Sequence, residues 1–396
     1  MKTICFDLRA LQIGHQNRGI GMYVRSVLGH LPPDENKYLF YCFDKHDPIE
    51  LLGIKVAIDY EIVYTETVNT ILNSPRDLPA IYRLVHHDFA ALKPYHPDTF
   101  VQFDFTLGLP DWKHCKTVVI GYDLIPLIMK NEYMPSIGFS WNHSPRKLRG
   151  VLRALYYRYR YRLHYRAYSQ ADRVVCISQA SADSFRELLH VPSGKLSAIP
   201  LAPVLDPVTP DFSVAKRIKK PYMFYIGGTD SRKQVQDIIR AYHIVKGRGA
   251  DVALVLVGYE FRSLDKMTDM TAKQSIKDSP YREDIHLIGF VNDAEKFGLY
   301  QSAQAFIFTS LYEGFGLPVV EAMAASCPVV AYDNSSIPEA AGDAALLVPS
   351  GDYVAVAREF LRLQDPVLRS KLVRQGLAHS TKFNWGTYVQ RFNDEL

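Results

Sequence analysis

The chain has 396 residues, 47% of them hydrophobic and 22% charged, with a formal net charge of +4. That length suits two domains, each able to build its own core. The small net charge argues against a general nucleic-acid binder, and no apolar run reaches the eighteen or so residues of a membrane span.

Residues 3–8 (TICFDL) predict a first strand, entered almost at Met1 with no apolar leader before it. A cytoplasmic protein is expected on that ground. The five cysteines form no CxxC pair and read as reduced core residues; the thirteen histidines show no metal-ligand spacing, so no metal site is expected. Arg18-Gly19-Ile20-Gly21 reads as a glycine turn before a helix with Ile20, Tyr23, Val24, Val27, Leu28 and Leu31 on one face. Such a turn lets a ligand approach the free N–H groups of a helix start. Gly19-x-Gly21-x-x-Val24 lacks the third glycine of a dinucleotide fingerprint, and a plain connecting loop is an equal reading.

Residues 38–43, 56–64, 99–105 and 116–123 are further strands, and their alternation with other segments predicts an open α/β sheet. Ligands of such sheets bind beyond the carboxyl ends of strands, which singles out Tyr122 and Asp123. A tyrosine that merely caps a strand is the alternative. From 133 to 171 there is no acidic residue, while eight lysines and arginines fall between Arg146 and Arg166, so the rest of the chain carries −4. Residues 146–168 predict a helix with two stripes. Leu152, Tyr156, Tyr159 and Leu163 are the expected core face; Tyr157, Tyr161, Tyr165 and Tyr168 form the other, with arginines between them. Arginines and tyrosines without acids suit an anionic membrane surface, and a solvated helix packed beneath a linker is the alternative.

Strands at 173–178 and 196–201 precede a segment, 202–220, whose Pro203, Pro207 and Pro210 read as an interdomain linker. A strand at 222–226 then leads through Gly227-Gly228-Thr229-Asp230-Ser231-Arg232-Lys233 into a helix at 235–246. Arg232 and Lys233 beside this turn form an anion site, because arginine forks two oxygens and lysine adds a point charge. Two bases that merely solvate a helix start would oppose its dipole. Strands at 253–258, 285–290, 305–309 and 328–333 follow, then helices at 353–363, 367–378 and 385–394, the last carrying Trp385, Tyr388 and Phe392.

After the strand at 305–309 comes Ser310-Leu311-Tyr312-Glu313-Gly314-Phe315-Gly316-Leu317-Pro318-Val319-Val320-Glu321. Pro318 suits the first residue of a helix. Glu313 then lies in the loop at that helix start, and Glu321 about one and a half turns inside. A helix N-terminus favours anions, so carboxylates there need a reason. Each can accept two hydroxyl hydrogen bonds, which suits a sugar joined to a diphosphate. Two solvated glutamates on a tight strand-to-helix turn are the alternative.

This Glu-x7-Glu stretch, set between a buried strand and a Pro-started helix, resembles the retaining glycosyltransferases of family 4, in particular their mannosyltransferase-like group. The Ala-Asp-Arg-Val-Val-Cys-Ile-Ser-Gln-Ala-Ser run at 171–181 is similar to that family too. The resemblance implies an α/β chain of GT-B fold, with two Rossmann-like domains facing a deep interdomain cleft. These are an acceptor-side domain over 1–203, a donor domain over 204–380, and a C-terminal helix within 381–396 packing back on the first domain. It implies that Glu313 holds donor-sugar hydroxyls, that the Gly314, Phe315, Gly316 and Leu317 backbone lines the sugar, and that Glu321 holds the ribose. Arg232 and Lys233 would hold the diphosphate, the Val291 main chain would meet the nucleobase, and Gly19 and Gly21 would lie near diphosphate and acceptor. Tyr122 stands where the family commonly has a histidine before Asp123; a role needing imidazole is lost, though a phenol can still donate. Gly228 stands where some members have an arginine, which leaves the diphosphate one ligand fewer.

The implied activity is metal-independent, retaining transfer of a hexose, mannose favoured, from a nucleotide-diphosphate sugar, GDP-mannose favoured. The acceptor would be a saccharide or lipid-linked saccharide of a bacterial surface polysaccharide, at the inner face of the cytoplasmic membrane. Nucleic acid is not an expected partner and no further cofactor is implied. Glu313, Arg232, Lys233, Asp123 and Tyr122 are the catalytic candidates, acting mainly by electrostatics, with Glu313 given no nucleophile role. Two other functions fit the same architecture: a nucleotide-sugar epimerase, which needs no acceptor, and a non-catalytic carbohydrate-binding or assembly subunit.

Overall fold

A computed structural model describes residues 1–12, 19–43, 53–65, 89–133, 155, 159, 161–203 and 209–396. The chain forms two compact units, one of Met1–Pro200 with Trp385–Leu396 and one of Leu201–Asn384. The first is built on seven parallel strands: β1 (Thr3–Asp7), β2 (Lys37–Phe43), β3 (Tyr60–Thr65), β4 (Thr99–Gln102), β5 (Lys116–Gly121), β6 (Arg173–Cys176) and β7 (Leu196–Ala198). Their order is β3-β2-β1-β4-β5-β6-β7. Central strands such as β4 are buried throughout, which is why they read as continuous apolar runs. The edge strands β3 and β7 are only partly covered.

Several strands end sooner than their apolar runs. After β4, Asp104 accepts a hydrogen bond from the Thr106 N–H at 2.9 Å and starts the turn Phe105–Leu107. Strand β5 stops at Gly121, so Tyr122 and Asp123 lie just beyond its carboxyl end. Ser178 leaves the sheet to cap the helix Gln179–Leu189. A side chain at Gly121 would come within 3.1 Å of Cys176 Sγ and the Phe185 ring, so glycine there lets this helix lie close on the sheet.

Two expectations need correction. Gly19 and Gly21 do not form a turn before the helix; they lie in the first turn of the helix Gly19–Gly29 itself. Gly21 is buried together with Tyr23, Val24, Val27 and Leu28, so the packed stripe already includes it, whereas Gly19 is exposed. Arg18 lies outside the described residues. The two tyrosine stripes are also exchanged. Tyr165 stacks on Phe105 at 5.4 Å and Tyr168 meets Phe185 edge-on at 4.5 Å, whereas Tyr159 is 51% exposed. Arg162 and Arg166 share the outward face with Tyr159. Turning that face inward would bury two guanidinium groups in a stretch with no acid to pair them, a cost no tyrosine offsets. The rest of the stripes, residues 146–154, 156–158 and 160, lies outside the described residues.

The second unit carries β8 (Tyr222–Ile226), β9 (Ala253–Val257), β10 (Ile285–Ile288), β11 (Ala305–Phe308), β12 (Val329–Tyr332) and β13 (Leu346–Val348), all parallel, in the order β10-β9-β8-β11-β12-β13. The three-residue β13 was too short to stand out in the sequence. The proposed linker is also shorter than expected. Residues 204–208 lie outside the described residues, but Val214, Ala215 and Ile218 are buried in this unit's core. The Asp211 N–H bonds the Ala294 carbonyl at 2.9 Å, and a Cβ on Gly298 would lie 2.1 Å from the Asp211 carbonyl oxygen. The surrounding lysines and arginines hid these three apolar contacts. In both units the chain reverses its direction of winding next to the first strand, at β1/β4 and at β8/β11. Such reversals open a crevice at the carboxyl ends of the strands.

In the first unit that position holds a wholly buried ion pair. Arg9 Nε donates to Asp7 Oδ1 at 2.8 Å and Nη2 to Oδ2 at 2.5 Å; Gln102 donates to Asp7 Oδ2 at 2.9 Å. The guanidinium lies 4.8 Å from the Tyr41 ring centre and 5.1 Å from that of Phe89. Losing the cation alone would strand a buried carboxylate. Arg9→Met is therefore expected to destabilise this unit by about 3–5 kcal/mol in denaturant unfolding, and Asp7→Asn added to it should recover much of the loss. A single variant as stable as wild type would contradict this.

Candidate functional site

Strands β8 and β11 are neighbours, so the loops that follow them meet at the reversal of the second sheet. After β8, Asp230 caps a short turn, Ser231–Lys233, and Gln234 in the left-handed region (φ 48°) starts the helix Val235–Gly247. This turn is tied to the β11 exit: the Leu311 N–H bonds the Arg232 carbonyl at 2.8 Å and Thr309 Oγ1 the Lys233 carbonyl at 3.0 Å. The side chains of Arg232 and Lys233 thereby converge on Glu313. Arg232 Nη1 lies 2.8 Å from Glu313 Oε2, and Lys233 Nζ 2.5 Å from Oε1. Arg232 also donates to the Tyr312 carbonyl at 2.8 Å. Burial would raise the Glu313 pKa, but the charges of Lys233 and Arg232 outweigh it and hold the group below the ordinary glutamate value. Arg232, Lys233 and Glu313 alone sum to about +1, and the more exposed Asp230, 3.6 Å from Arg232 Nε, offsets part of that charge.

Ser335 and Ser336 hold the Glu313 backbone, the first accepting from its N–H and the second donating to its carbonyl, both at 3.0 Å. Gly316, at φ +105°, caps the helix Leu317–Ala324; a Cβ there would come within 2.8 Å of Ile337. Phe315 is 2% exposed, so its side chain is core and only its backbone is left to meet a ligand. Glu321 lies in that helix with a different partner. Lys296, on the helix Asp293–Ser302, is 3.0 Å from Glu321 Oε1, and Tyr300 Oη donates to Oε2 at 3.4 Å. Burial disfavours the Lys296 charge, but Glu321 and Asp293 more than compensate and raise its pKa.

Glu260 also faces the glycine loop. It accepts from the Thr229 N–H and from Thr268 Oγ1, each at 2.6 Å, and a Cβ on Gly228 would lie 3.1 Å from its Oε2. The space beside Gly228 thus holds an acid rather than a base. The segment Gly289–Val291 borders a groove of about 1120 Å³ that runs along β10 and is also lined by Arg217, Arg262 and Arg282. Gly19, Gly21, Tyr122 and Asp123 belong to the first unit. There the Tyr122 hydroxyl is enclosed with no hydrogen-bond partner among the described residues, its ring edge-on to Tyr23 at 5.6 Å, and burial pushes its pKa well up. Asp123 accepts from the Ile125 N–H at 3.0 Å.

Sequence reasoning missed Lys296, Glu260 and the two serines. The Asn292–Glu295 capping box could have flagged the helix bearing Lys296; nothing local to Lys296 points to a partner 25 residues away. Among the described residues no cluster of histidine, cysteine or acids could hold a metal ion, and no helix is long and apolar enough to cross a membrane.

A family model described as glycosyl transferases group 1 matches residues 210–377, and one described as Glycosyltransferase Family 4 matches residues 18–202. O-antigen chain mannosyltransferase B of Escherichia coli is 34% identical over 167 residues, 41% of this chain and 42% of that protein. The serotype-specific mannosyltransferase WbdA of Escherichia coli is 24% identical over 293 residues, 71% of this chain and 33% of WbdA. The chain therefore spans well under half the length of these relatives. Among solved structures, Anabaena HepE in complex with UDP-glucose superposes with a TM-score of 0.67 at 14% identity, covering 100% of this chain and 99% of that one. WaaG, a glycosyltransferase involved in lipopolysaccharide biosynthesis, gives 0.62 at 16% identity, covering 99% and 98%. These two share the fold.

The lowered Glu313 pKa sets a pH dependence. A carboxylate whose pKa falls on folding stabilises the fold above its unfolded value, and that gain is lost as pH falls through the lower folded value. The stability gap between wild type and Glu313→Gln should stay constant above about pH 5 and close below about pH 4. Melting temperatures across that range test it; a gap that closes near neutrality would show the carboxylate is not held ionised.

Proposed function

The chain belongs to the GT-B glycosyltransferases of the family 4 type, and we propose that it is a retaining hexosyltransferase of bacterial surface polysaccharide synthesis. It takes a hexose, mannose favoured, from a nucleotide-diphosphate sugar, GDP-mannose favoured, and passes it to a saccharide or lipid-linked acceptor. The observation that carries this reading is the Arg232–Lys233–Glu313 cluster at the reversal of the second sheet. A nucleotide-diphosphate sugar presents two demands close together: a diphosphate that needs cations and hydroxyls that need acceptors. The cluster supplies both on fixed backbone. The choice of mannose leans on the names of the Escherichia coli relatives.

As the bond from sugar C1 to the diphosphate oxygen breaks, negative charge builds on the diphosphate. Arg232, Lys233 and the N–H groups at the start of the helix Leu317–Ala324 oppose that charge, and being fixed beforehand they need no reorganisation during the reaction. The new bond forms between C1 and the acceptor oxygen, whose proton passes to the departing diphosphate oxygen. Glu313 holds sugar hydroxyls and keeps the two cations in place; Glu321, steadied by Lys296 and Tyr300, holds the ribose; the Gly289–Val291 edge takes the base. The first unit receives the acceptor, with Gly19, Gly21, Tyr122 and Asp123 as its candidate contacts. On the basic helix the face that favours an anionic membrane is Leu155, Tyr159, Arg162 and Arg166, all exposed at helical spacing. We place the enzyme in the cytoplasm, attached through this face to the inner leaflet.

Two outcomes are expected. Glu321→Ala should weaken binding of the free nucleoside diphosphate by roughly 1.5–3 kcal/mol in calorimetry, as charged hydrogen bonds to the ribose are lost; unchanged affinity would remove the ribose role. Turnover should persist in EDTA, because side chains and a helix start neutralise the diphosphate. Loss of turnover that manganese or magnesium restores would contradict that.

A further inference from the structure

The loop that carries Glu313 has an anchor that none of the roles above uses. Glu313 is followed by Gly314-Phe315-Gly316, and the two glycines offer no side chain to fix it. Phe315 is the inward side chain of this turn, 2% exposed. Its ring meets the Phe383 ring edge-on, 5.4 Å between centres and 70° between planes. Phe383 lies just past the helix Pro366–Ser380, where the chain turns with the Phe383 N–H on the Ser380 carbonyl at 3.1 Å. Its neighbours Lys382 and Asn384 are exposed, while Phe383 itself turns inward. Behind it stands His379, ring centres 5.3 Å apart. The His379 ring is in turn seated on Gly342, at φ +51°, where a Cβ would come within 2.6 Å of the imidazole. A continuous stack thus runs from Gly342 through His379 and Phe383 to Phe315, two residues from Glu313.

We propose that Phe383 is a positioning residue for Glu313, acting through Phe315. This rests on Glu313 as the donor-sugar contact. Ser335 and Ser336 fix the Glu313 backbone on one side of the loop, and the Phe315–Phe383 contact fixes the other. Without the Phe383 ring, Phe315 loses a wall and Glu313 loses its setting relative to the sugar, while Glu321 and Lys296 keep each other and Arg232 keeps its bond to the Tyr312 carbonyl. A misplacement of about 1 Å in a reacting complex costs on the order of 100-fold in rate. A phenylalanine that only filled space would affect stability instead, without separating sugar from nucleotide.

The test is steady-state kinetics with GDP-mannose and a saccharide acceptor, alongside calorimetry with GDP, on Phe383→Ala, Phe383→Leu, Phe315→Leu and the double variant Phe315→Leu/Phe383→Leu. Phe383→Ala is expected to lower kcat by about 10- to 100-fold while GDP affinity stays within about threefold. Phe383→Leu should lose clearly less kcat than Phe383→Ala but still a measurable several-fold, and the Phe315→Leu and Phe383→Leu losses should be clearly less than additive. Wild-type kcat in Phe383→Ala, a fall in GDP affinity matching the fall in kcat, or strictly additive losses would each overturn the proposal. If Phe383→Ala does not fold, the three leucine variants decide by the same additivity criterion. Wild type that neither binds nor uses a nucleotide sugar would instead overturn the glycosyltransferase reading itself, before Phe383 is tested.

Discussion

Glu313 and Glu321 are both largely withdrawn from water, and burying a carboxylate is costly unless a cation and hydrogen bonds pair it. Each has its own. Arg232 and Lys233 close on Glu313, and Lys296 on Glu321. The cations come from helices or turns remote in sequence, so the pairs also fix how the β8, β10 and β11 exits sit relative to one another. Removing one partner would leave a buried charge and loosen the crevice. The arrangement is costly as mere stabilisation, since an apolar set of the same volume would hold the fold as well. A ligand with charge and hydroxyls of its own explains why it is there.

The doubly wound order of the second sheet makes this possible. Neighbouring strands β8 and β11 leave in opposite winding directions, so their two loops are not covered by crossover helices. One loop brings Arg232 and Lys233, the other Glu313, and the backbone bonds from Thr309 and Leu311 to the first loop set their spacing. The two cations and the carboxylate are therefore placed by strand pairing rather than by flexible side chains. The first sheet shows the same winding, but there the equivalent position is closed by the Asp7–Arg9 pair beneath aromatic rings.

Much of this was legible in the sequence where one property dominated. Buried central strands read directly, because parallel sheets covered on both faces leave unbroken apolar runs. The Glu313 loop read as a strand-to-helix turn because glycine and proline each serve one purpose there. Pairings were not legible. Glu313 and Arg232 are 81 residues apart, and nothing near either indicates that they neutralise each other. The tyrosine helix misled for a related reason. Tyrosine serves equally as core or surface, so the stripe pattern gave no direction, and the exposed arginines beside Tyr159 decided which face turns outward. The segment from Asp211 to Ile218 was hidden by its lysines and arginines, although three apolar residues commit it to the second core.

The central claim is that Glu313 serves the sugar while partly cancelling the cations that serve the diphosphate. The most direct measurement is calorimetric affinity of wild type and Glu313→Gln for a free nucleoside diphosphate and for its sugar conjugate, at low and high salt. Losing the carboxylate makes the cluster more positive by about one charge. The free diphosphate should then bind more tightly, most of all at low salt where screening is weakest, while the sugar conjugate loses its advantage. Weaker binding of both ligands by the same factor would contradict the claim and reduce Glu313 to a structural partner of Arg232 and Lys233.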